Sequence, residues 1–96
     1  MSKAQANVKV QNPLGLHARP AMSFVDKANT FVSDIRVRNH EQEVDGKSIM
    51  QMMMLGATQG TELAITAQGP DAAEAIQALS EIIELDSDEP SPDPQA

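Results

Sequence analysis

The chain has 96 residues, which is enough for one small domain, and it contains no cysteine. This composition excludes disulfides, thiolate metal sites and cysteine nucleophiles, and it is compatible with a reducing cytosol. The formal net charge of −7 arises at the C-terminal end, because residues 71–96 carry eight acidic side chains and no lysine or arginine. The nearly neutral remainder argues against a nucleic-acid partner, since phosphate neutralisation needs a clustered basic face.

No segment approaches the roughly 20 apolar residues that a membrane-spanning helix needs. Residues 1–7 are polar and lack the apolar core of a signal peptide. We therefore expect a cytoplasmic protein without membrane insertion.

The first half of the chain predicts a strand, a helix and two further strands. Residues 7–11 alternate polar side chains with valine, as a half-buried strand does. A helix is predicted over residues 18–29, because its apolar residues recur at helical spacing. Alternation then predicts a strand over residues 31–38 and a short returning strand over residues 42–44, joined by a polar turn.

The second half predicts a short helix, a fourth strand and a third helix. Residues 47–55 form the short helix, and Gly56 suits the position just after its C-terminus. Alternation over residues 62–67 predicts the strand, and residues 69–71 begin a helix whose apolar stripe continues to residue 83.

The element order βαββαβα supplies enough helices to cover only one face of a sheet. It predicts an open-faced, two-layer α+β sandwich formed by residues 1–85. Residues 86–96 are acidic and proline-rich, and they have too little apolar surface to offset the entropy of ordering. We expect this tail to be disordered and solvated, with a partner-binding role as the alternative.

The segment Gly15–Ala21 places one histidine at the beginning of the first helix. Pro20 suits a first helical turn, so His17 is expected at or near the N-cap, where backbone N–H groups lack intrahelical partners. Those donors and Arg19 together form an anion site, and unprotonated imidazole is a good nucleophile at neutral pH. The combination favours a histidine that carries a phosphoryl group over one that only caps the helix or packs against its neighbours.

The segment Gly15–Ala21 resembles the active-site signature of the histidine-containing phosphocarrier (HPr) family of the bacterial sugar phosphotransferase system. A second family motif is matched by Gly46–Met50 and Leu55–Gly60, in the expected order. The resemblance extends over roughly residues 5–85. It implies a four-stranded antiparallel sheet with three helices on one face, and a phosphohistidine relay at His17.

On this resemblance the protein is a phosphoryl carrier rather than a stand-alone catalyst. His17 would accept the phosphoryl group from phospho-enzyme I, on Nδ1, and pass it to sugar-specific enzyme IIA domains. Arg19 and the backbone amides of Ala18 and Arg19 would hold the phosphoryl oxygens. No cofactor or metal is implied, and we expect a monomer.

Ser48 begins the second helix, where an N-cap is one sufficient explanation. In Gram-positive members of the family, the serine in this Lys-Ser-Ile-Met context is phosphorylated by a dedicated kinase, HPr kinase/phosphorylase. The two roles are compatible. The segment Gly46–Ser48 is not the end of a P-loop, because position 41 is glutamate where that motif needs glycine.

The family resemblance places an exposed apolar patch beside the active histidine. Flexible thioether side chains suit a surface that must fit several partners. A soft-metal site is the weaker interpretation of these methionines. The predicted docking surface comprises Leu16, Pro20, Ile49, Met50 and Met53.

Leu14 stands three residues before the histidine, where many members of the sugar branch carry a small polar residue. A Leu-Gly pair at this point also occurs in the nitrogen-regulatory branch. The alternative function is thus a regulatory binding module that signals through phosphorylation at His17, Ser48 or both, without sugar transport. A structural domain with a vestigial His17 is the weakest interpretation, and His40, in a polar turn, is expected to be exposed and inert.

Overall fold

The computed structural model describes residues 2–85, so the predicted tail over residues 86–96 lies outside the described residues. The order βαββαβα is confirmed within this part of the chain. The elements are β1 (Lys3–Lys9), α1 (Ala18–Ala28), β2 (Asp34–Asn39), β3 (Gln42–Asp45), α2 (Ile49–Met53), β4 (Glu62–Gln68) and α3 (Ala72–Glu84).

The four strands form one antiparallel sheet in the order β1-β4-β2-β3. In the register, Val8 faces Leu63 across β1 and β4, and Val37 faces Ile65 across β2 and β4. These apolar side chains are buried while their neighbours along each strand are more exposed, so one face of the sheet is apolar and the other is polar. The helices cover the apolar face, as the open-faced sandwich predicts.

The core between sheet and helices is mainly aliphatic, with Phe24 of α1 as its one fully buried aromatic ring among the described residues. The helices contribute their apolar stripes, which recur at helical spacing. The largest fully buried apolar side chains are Phe24, Ile35, Val37, Met52, Leu63, Ile65, Leu79 and Ile83.

The starts of two strands differ from the sequence prediction. The first strand starts at Lys3 rather than near residue 7, because Lys3–Asn7 pairs with β4 along its whole length. The predicted start of the second strand at Phe31 is also wrong, since β2 starts only at Asp34. The N–H groups of Val32 and Ser33 are bound by the carboxylate of Asp71 instead of by a neighbouring strand.

Asp71 therefore ties the α1–β2 connection to the start of α3. Its carboxylate accepts the N–H of Val32 and Ser33, each at 2.9 Å, and the hydroxyl of Ser33 at 2.5 Å. The side-chain hydrogen bond from Ser33, followed by the amide bond from Val32, lowers the pKa of Asp71 below its usual 3.8. Each of these hydrogen bonds is donated to the carboxylate, so together they favour its ionised form over its protonated form.

We expect the hydrogen bonds to the ionised carboxylate of Asp71 to increase the free energy of unfolding above pH 3.8. This stabilisation should be lost as the pH falls through the lower pKa of folded Asp71. Urea denaturation from pH 7 to pH 3 would measure it, with Asp71→Asn compared with the wild type. The stability difference between the two should shrink as the pH falls. Asp26→Asn, which removes the same charge from the exposed surface of α1, serves as the control. A difference that is constant with pH would contradict the assignment.

Candidate functional site

The loop from β1 to α1 is held against the loop that follows α2. The N–H of Gly15 donates to the carbonyl oxygen of Asn12 at 2.8 Å, which closes a tight turn. Gly15 has φ +72, a left-handed conformation that glycine adopts without penalty. Directly afterwards the N–H of Leu16 donates to the carbonyl oxygen of Ala57 at 3.0 Å. These contacts fix the backbone immediately before His17.

His17 is the N-cap residue of α1, as the position of Pro20 predicted. Its side chain makes no capping hydrogen bond, which removes capping by the ring as an explanation for the residue. The half-buried imidazole lies instead with Nε2 at 3.2 Å from Nδ2 of Asn12. The ring is thus held from its Nε2 side.

The first turn of α1 offers two backbone donors beside the ring. The N–H of Ala21 bonds to the carbonyl oxygen of His17 at 3.1 Å, and Pro20 has no N–H. The amides of Ala18 and Arg19 therefore remain as the first-turn donors without an intrahelical partner. Arg19 is exposed and, among residues 2–85, forms no ion pair, so its guanidinium is available to an anion.

Asn12 is the site residue that the sequence analysis missed. It is only 1% exposed, and its Oδ1 accepts the N–H of Leu14 at 2.8 Å while Nδ2 faces His17. Asparagine often accepts a hydrogen bond from its own backbone two residues on, and the Asn-Pro pair could have indicated such a turn. The contact between Asn12 and His17 could not be predicted from the spacing of apolar residues along the chain.

Ser48 is the N-cap of α2, as predicted, and its hydroxyl accepts the N–H of Gln51 at 3.3 Å. The short helix is anchored at the same end by Oε1 of Gln51, which accepts the N–H of Asp45 at 2.8 Å. Lys47 is not part of the helix, contrary to the predicted start at residue 47. Its ammonium group donates instead to the carbonyl oxygen of Phe31 at 2.8 Å.

Four of the five residues predicted for docking expose apolar surface. Met50 is 76% exposed, Ile49 and Met53 are exposed to a smaller extent, and Leu16 is half-buried. Pro20 is buried, so it shapes the first turn of α1 but adds no accessible area. Five further large apolar side chains among the described residues are exposed and were not part of the predicted docking surface: Leu14, Met22, Val32, Met54 and Leu85.

His40 lies in the turn between β2 and β3, where it is exposed and has φ +57. Residues 2–85 contain no cluster of three or more histidine, cysteine, aspartate or glutamate side chains that could hold a metal ion. In the same part of the chain, no helix combines the length and the apolar character needed to cross a membrane.

The family model for the phosphorylation site of the HPr component of the phosphotransferase system matches residues 4–84. Over 83 residues the chain is 45% identical to phosphocarrier protein NPr of Proteus mirabilis and 47% identical to phosphocarrier protein HPr of Pseudomonas aeruginosa. Each alignment covers 85% of this chain and 92% of the relative. The crystal structure of HPr from Bacillus anthracis superimposes with a TM-score of 0.80 at 40% identity, covering 86% of this chain and 99% of that one. The chain belongs to the HPr family of phosphocarrier proteins.

Proposed function

We propose that His17 accepts a phosphoryl group from phospho-enzyme I and donates it to sugar-specific enzyme IIA domains. The observation that carries this proposal is the position of His17 at the N-cap, with its ring held from the Nε2 side rather than engaged in capping. The amides of Ala18 and Arg19 and the guanidinium of Arg19 would hold the phosphoryl oxygens. The protein would act as a cytoplasmic monomer without cofactor, and as a carrier rather than a catalyst in its own right.

The hold on the phosphoryl group should be modest, because a carrier that bound it tightly could not pass it on. The site agrees with this requirement: it offers two backbone donors and one exposed arginine rather than an enclosed pocket. The partner proteins would complete the surroundings of the group during each transfer.

The docking surface in this proposal consists of Leu16, Ile49, Met50 and Met53. The first support is the exposure of these side chains. The second is that hydrogen bonds hold both α2 and the loop before His17 in place, so the apolar surface is formed before a partner binds. Large exposed apolar side chains on a small domain commonly mark a surface that binds other proteins.

The test is incubation of the purified protein with enzyme I and labelled phosphoenolpyruvate. An acid-labile label on this protein is expected, because phosphohistidine is hydrolysed in acid. A chase with sugar-specific enzyme IIA should then remove the label. Absence of labelling, or a label stable to acid, would contradict the proposal.

The nitrogen-type regulatory module is the second candidate function, and Leu14 is the observation that favours it. This side chain is 63% exposed at the position where many sugar-branch members carry a small polar residue. A label that enzyme I adds, but that no sugar-specific enzyme IIA removes, would favour this function over the sugar carrier.

Ser48 is proposed as a regulatory phosphorylation site, with HPr kinase/phosphorylase as the kinase. Its support is the position of the half-buried residue Ser48 at the start of α2, next to Ile49 and Met50 in the chain. A phosphate there would place about two negative charges beside the apolar docking surface.

The substitution Ser48→Asp should retain a capping oxygen and leave the melting temperature nearly unchanged, whereas Ser48→Ala should cost about 1 kcal/mol. Docking of enzyme I to the aspartate variant requires desolvation of the new carboxylate, so the apparent KM for the carrier should rise with little change in the maximal rate. Steady-state phosphoryl transfer with both variants would measure this. An unchanged KM in Ser48→Asp would leave Ser48 as a cap alone.

A further inference from the structure

Four of the six methionines of the chain lie within five consecutive positions, in α2 and at its C-cap. Met52 is fully buried in the core, whereas Met50 is 76%, Met53 45% and Met54 64% exposed. The three exposed methionines are spaced three and four residues apart, so they lie on one side of the short helix, away from Met52. One short segment thus holds a protected thioether and three that face solvent.

An exposed thioether has a reactivity that leucine and isoleucine lack. A hydroperoxide oxidises it to the sulfoxide, because a sulfur lone pair forms an S–O bond as the O–O bond breaks. The sulfur loses two electrons to the peroxide, and the departing oxygen takes up the proton and leaves as water or an alcohol. Methionine sulfoxide reductases restore the thioether at the expense of a dithiol, with release of water, so the modification is reversible.

The position of two of these methionines gives the modification a consequence for binding. Met50 and Met53 belong to the docking surface proposed above, together with Leu16 and Ile49. A sulfoxide converts a flexible apolar side chain into a polar one. The new oxygen is hydrated in the free protein and must give up that water when a partner covers the surface, which disfavours docking.

We propose that Met50 and Met53 are reversible oxidation sites at which a hydroperoxide weakens the docking of enzyme I. This inference rests on the proposed phosphocarrier function, since that function assigns both side chains to the docking surface. His17 and its contact with Asn12 take no part in the step. Oxidation therefore reduces the entry of phosphoryl groups into the protein without altering the residue that carries them.

The fold separates the sensitive side chains from those that hold α2 in place. Met52 is the buried residue of α2, and the oxidant does not reach it in the folded protein. The N-terminal end of the helix is held by hydrogen bonds of Ser48 and Gln51, which contain no sulfur. Sulfoxides on the solvent side should thus leave the melting temperature nearly unchanged.

The direct test is treatment of the purified, folded protein with hydrogen peroxide, followed by catalase and peptide mass spectrometry. We expect sulfoxides at Met50 and Met53 and an unmodified Met52. In steady-state phosphoryl transfer from enzyme I, the apparent KM should rise about tenfold, the size expected for desolvation of a polar group, with little change in the maximal rate. Methionine sulfoxide reductase and a dithiol should restore the original KM. Unmodified Met50 and Met53, or sulfoxides without a change in KM, would overturn the inference.

Two double variants separate the proposed sites from the other exposed methionines, Met22 and Met54. Leucine retains the size and apolar character of methionine but has no sulfur to oxidise. Met50→Leu combined with Met53→Leu should keep its KM after peroxide treatment, whereas Met22→Leu combined with Met54→Leu should respond as the wild type does. KM is compared before and after oxidation within each variant, so an effect of leucine on docking itself does not enter.

A peroxide-induced rise in KM in the first double variant, or protection in the second, would overturn the assignment. Oxidation of Met52 or a fall in the melting temperature would also overturn it, because the loss of transfer would then arise from the fold. Failure of the untreated wild type to accept phosphate from enzyme I would instead reject the proposed function. An untreated protein that is phosphorylated normally, but whose KM does not respond to oxidation, would reject this inference alone.

Discussion

Replacing His17 with alanine is expected to abolish acid-labile phosphorylation and to leave the fold intact. The ring supplies the nucleophile, and neither of the backbone donors in the first turn of α1 can substitute for it. The cost in stability should be small, about 1–2 kcal/mol, because the side chain makes no capping bond and its loss removes one hydrogen bond to Asn12. Labelling with enzyme I and urea denaturation would measure the two effects.

His40→Ala is the matched control, since it removes the same side chain from the exposed turn between β2 and β3. This variant should take up phosphate at the rate of the wild type. If the label persisted in His17→Ala and disappeared in His40→Ala, the assignment of the phosphorylation site would be wrong. Loss of the label in both variants would indicate damage to the fold rather than to the site.

The order of the elements and the position of His17 could be predicted because they depend on local sequence. Helical spacing of apolar residues indicates α1, and Pro20 locates its first turn, so the N-cap follows from residues next to each other in the chain. Ser48 was predicted as a cap for the same reason. Such features involve hydrogen bonds between residues at most four positions apart.

The features that could not be predicted depend on residues far apart in the sequence. The start of β2 is displaced by Asp71, which lies 38 residues after Ser33. The contact of Asn12 with His17 spans only five residues, but it requires a turn that is completed by Gly15. The carbonyl oxygen of Ala57, in the loop after α2, holds this turn in place by accepting the N–H of Leu16. The local spacing of apolar residues predicts none of these pairs of interacting residues.

Gly15 is the residue at which the two matched family motifs touch. A Cβ atom at this position would overlap the carbonyl oxygen of Ala57 and lie 3.0 Å from Cα of Thr58. The same carbonyl accepts the N–H of Leu16. The loop that carries His17 can therefore approach the loop after α2 only because Gly15 has no side chain.

Gly15→Ala should consequently have a large effect on both stability and transfer. Gly56→Ala is the matched control: Gly56 has φ +61, close to the φ +72 of Gly15, but a Cβ there meets no atom within 4 Å. The control should cost only the left-handed backbone penalty, about 1 kcal/mol. Gly15→Ala should cost about 1–3 kcal/mol more, because the overlapping atoms belong to the backbone and cannot move aside freely.

The backbone shift that a Cβ atom at position 15 forces on the loop should also reach His17, which lies two residues after Gly15. When the Leu16–Ala57 hydrogen bond is stretched, the ring moves relative to Asn12 and to the first-turn amides of α1. Phosphorylation by enzyme I should therefore slow markedly in Gly15→Ala, under conditions in which the variant remains folded, and should be nearly unchanged in Gly56→Ala. Equal losses of stability and rate in the two variants would show that the loop accommodates a Cβ, and that the contact between the two motifs does not position the histidine.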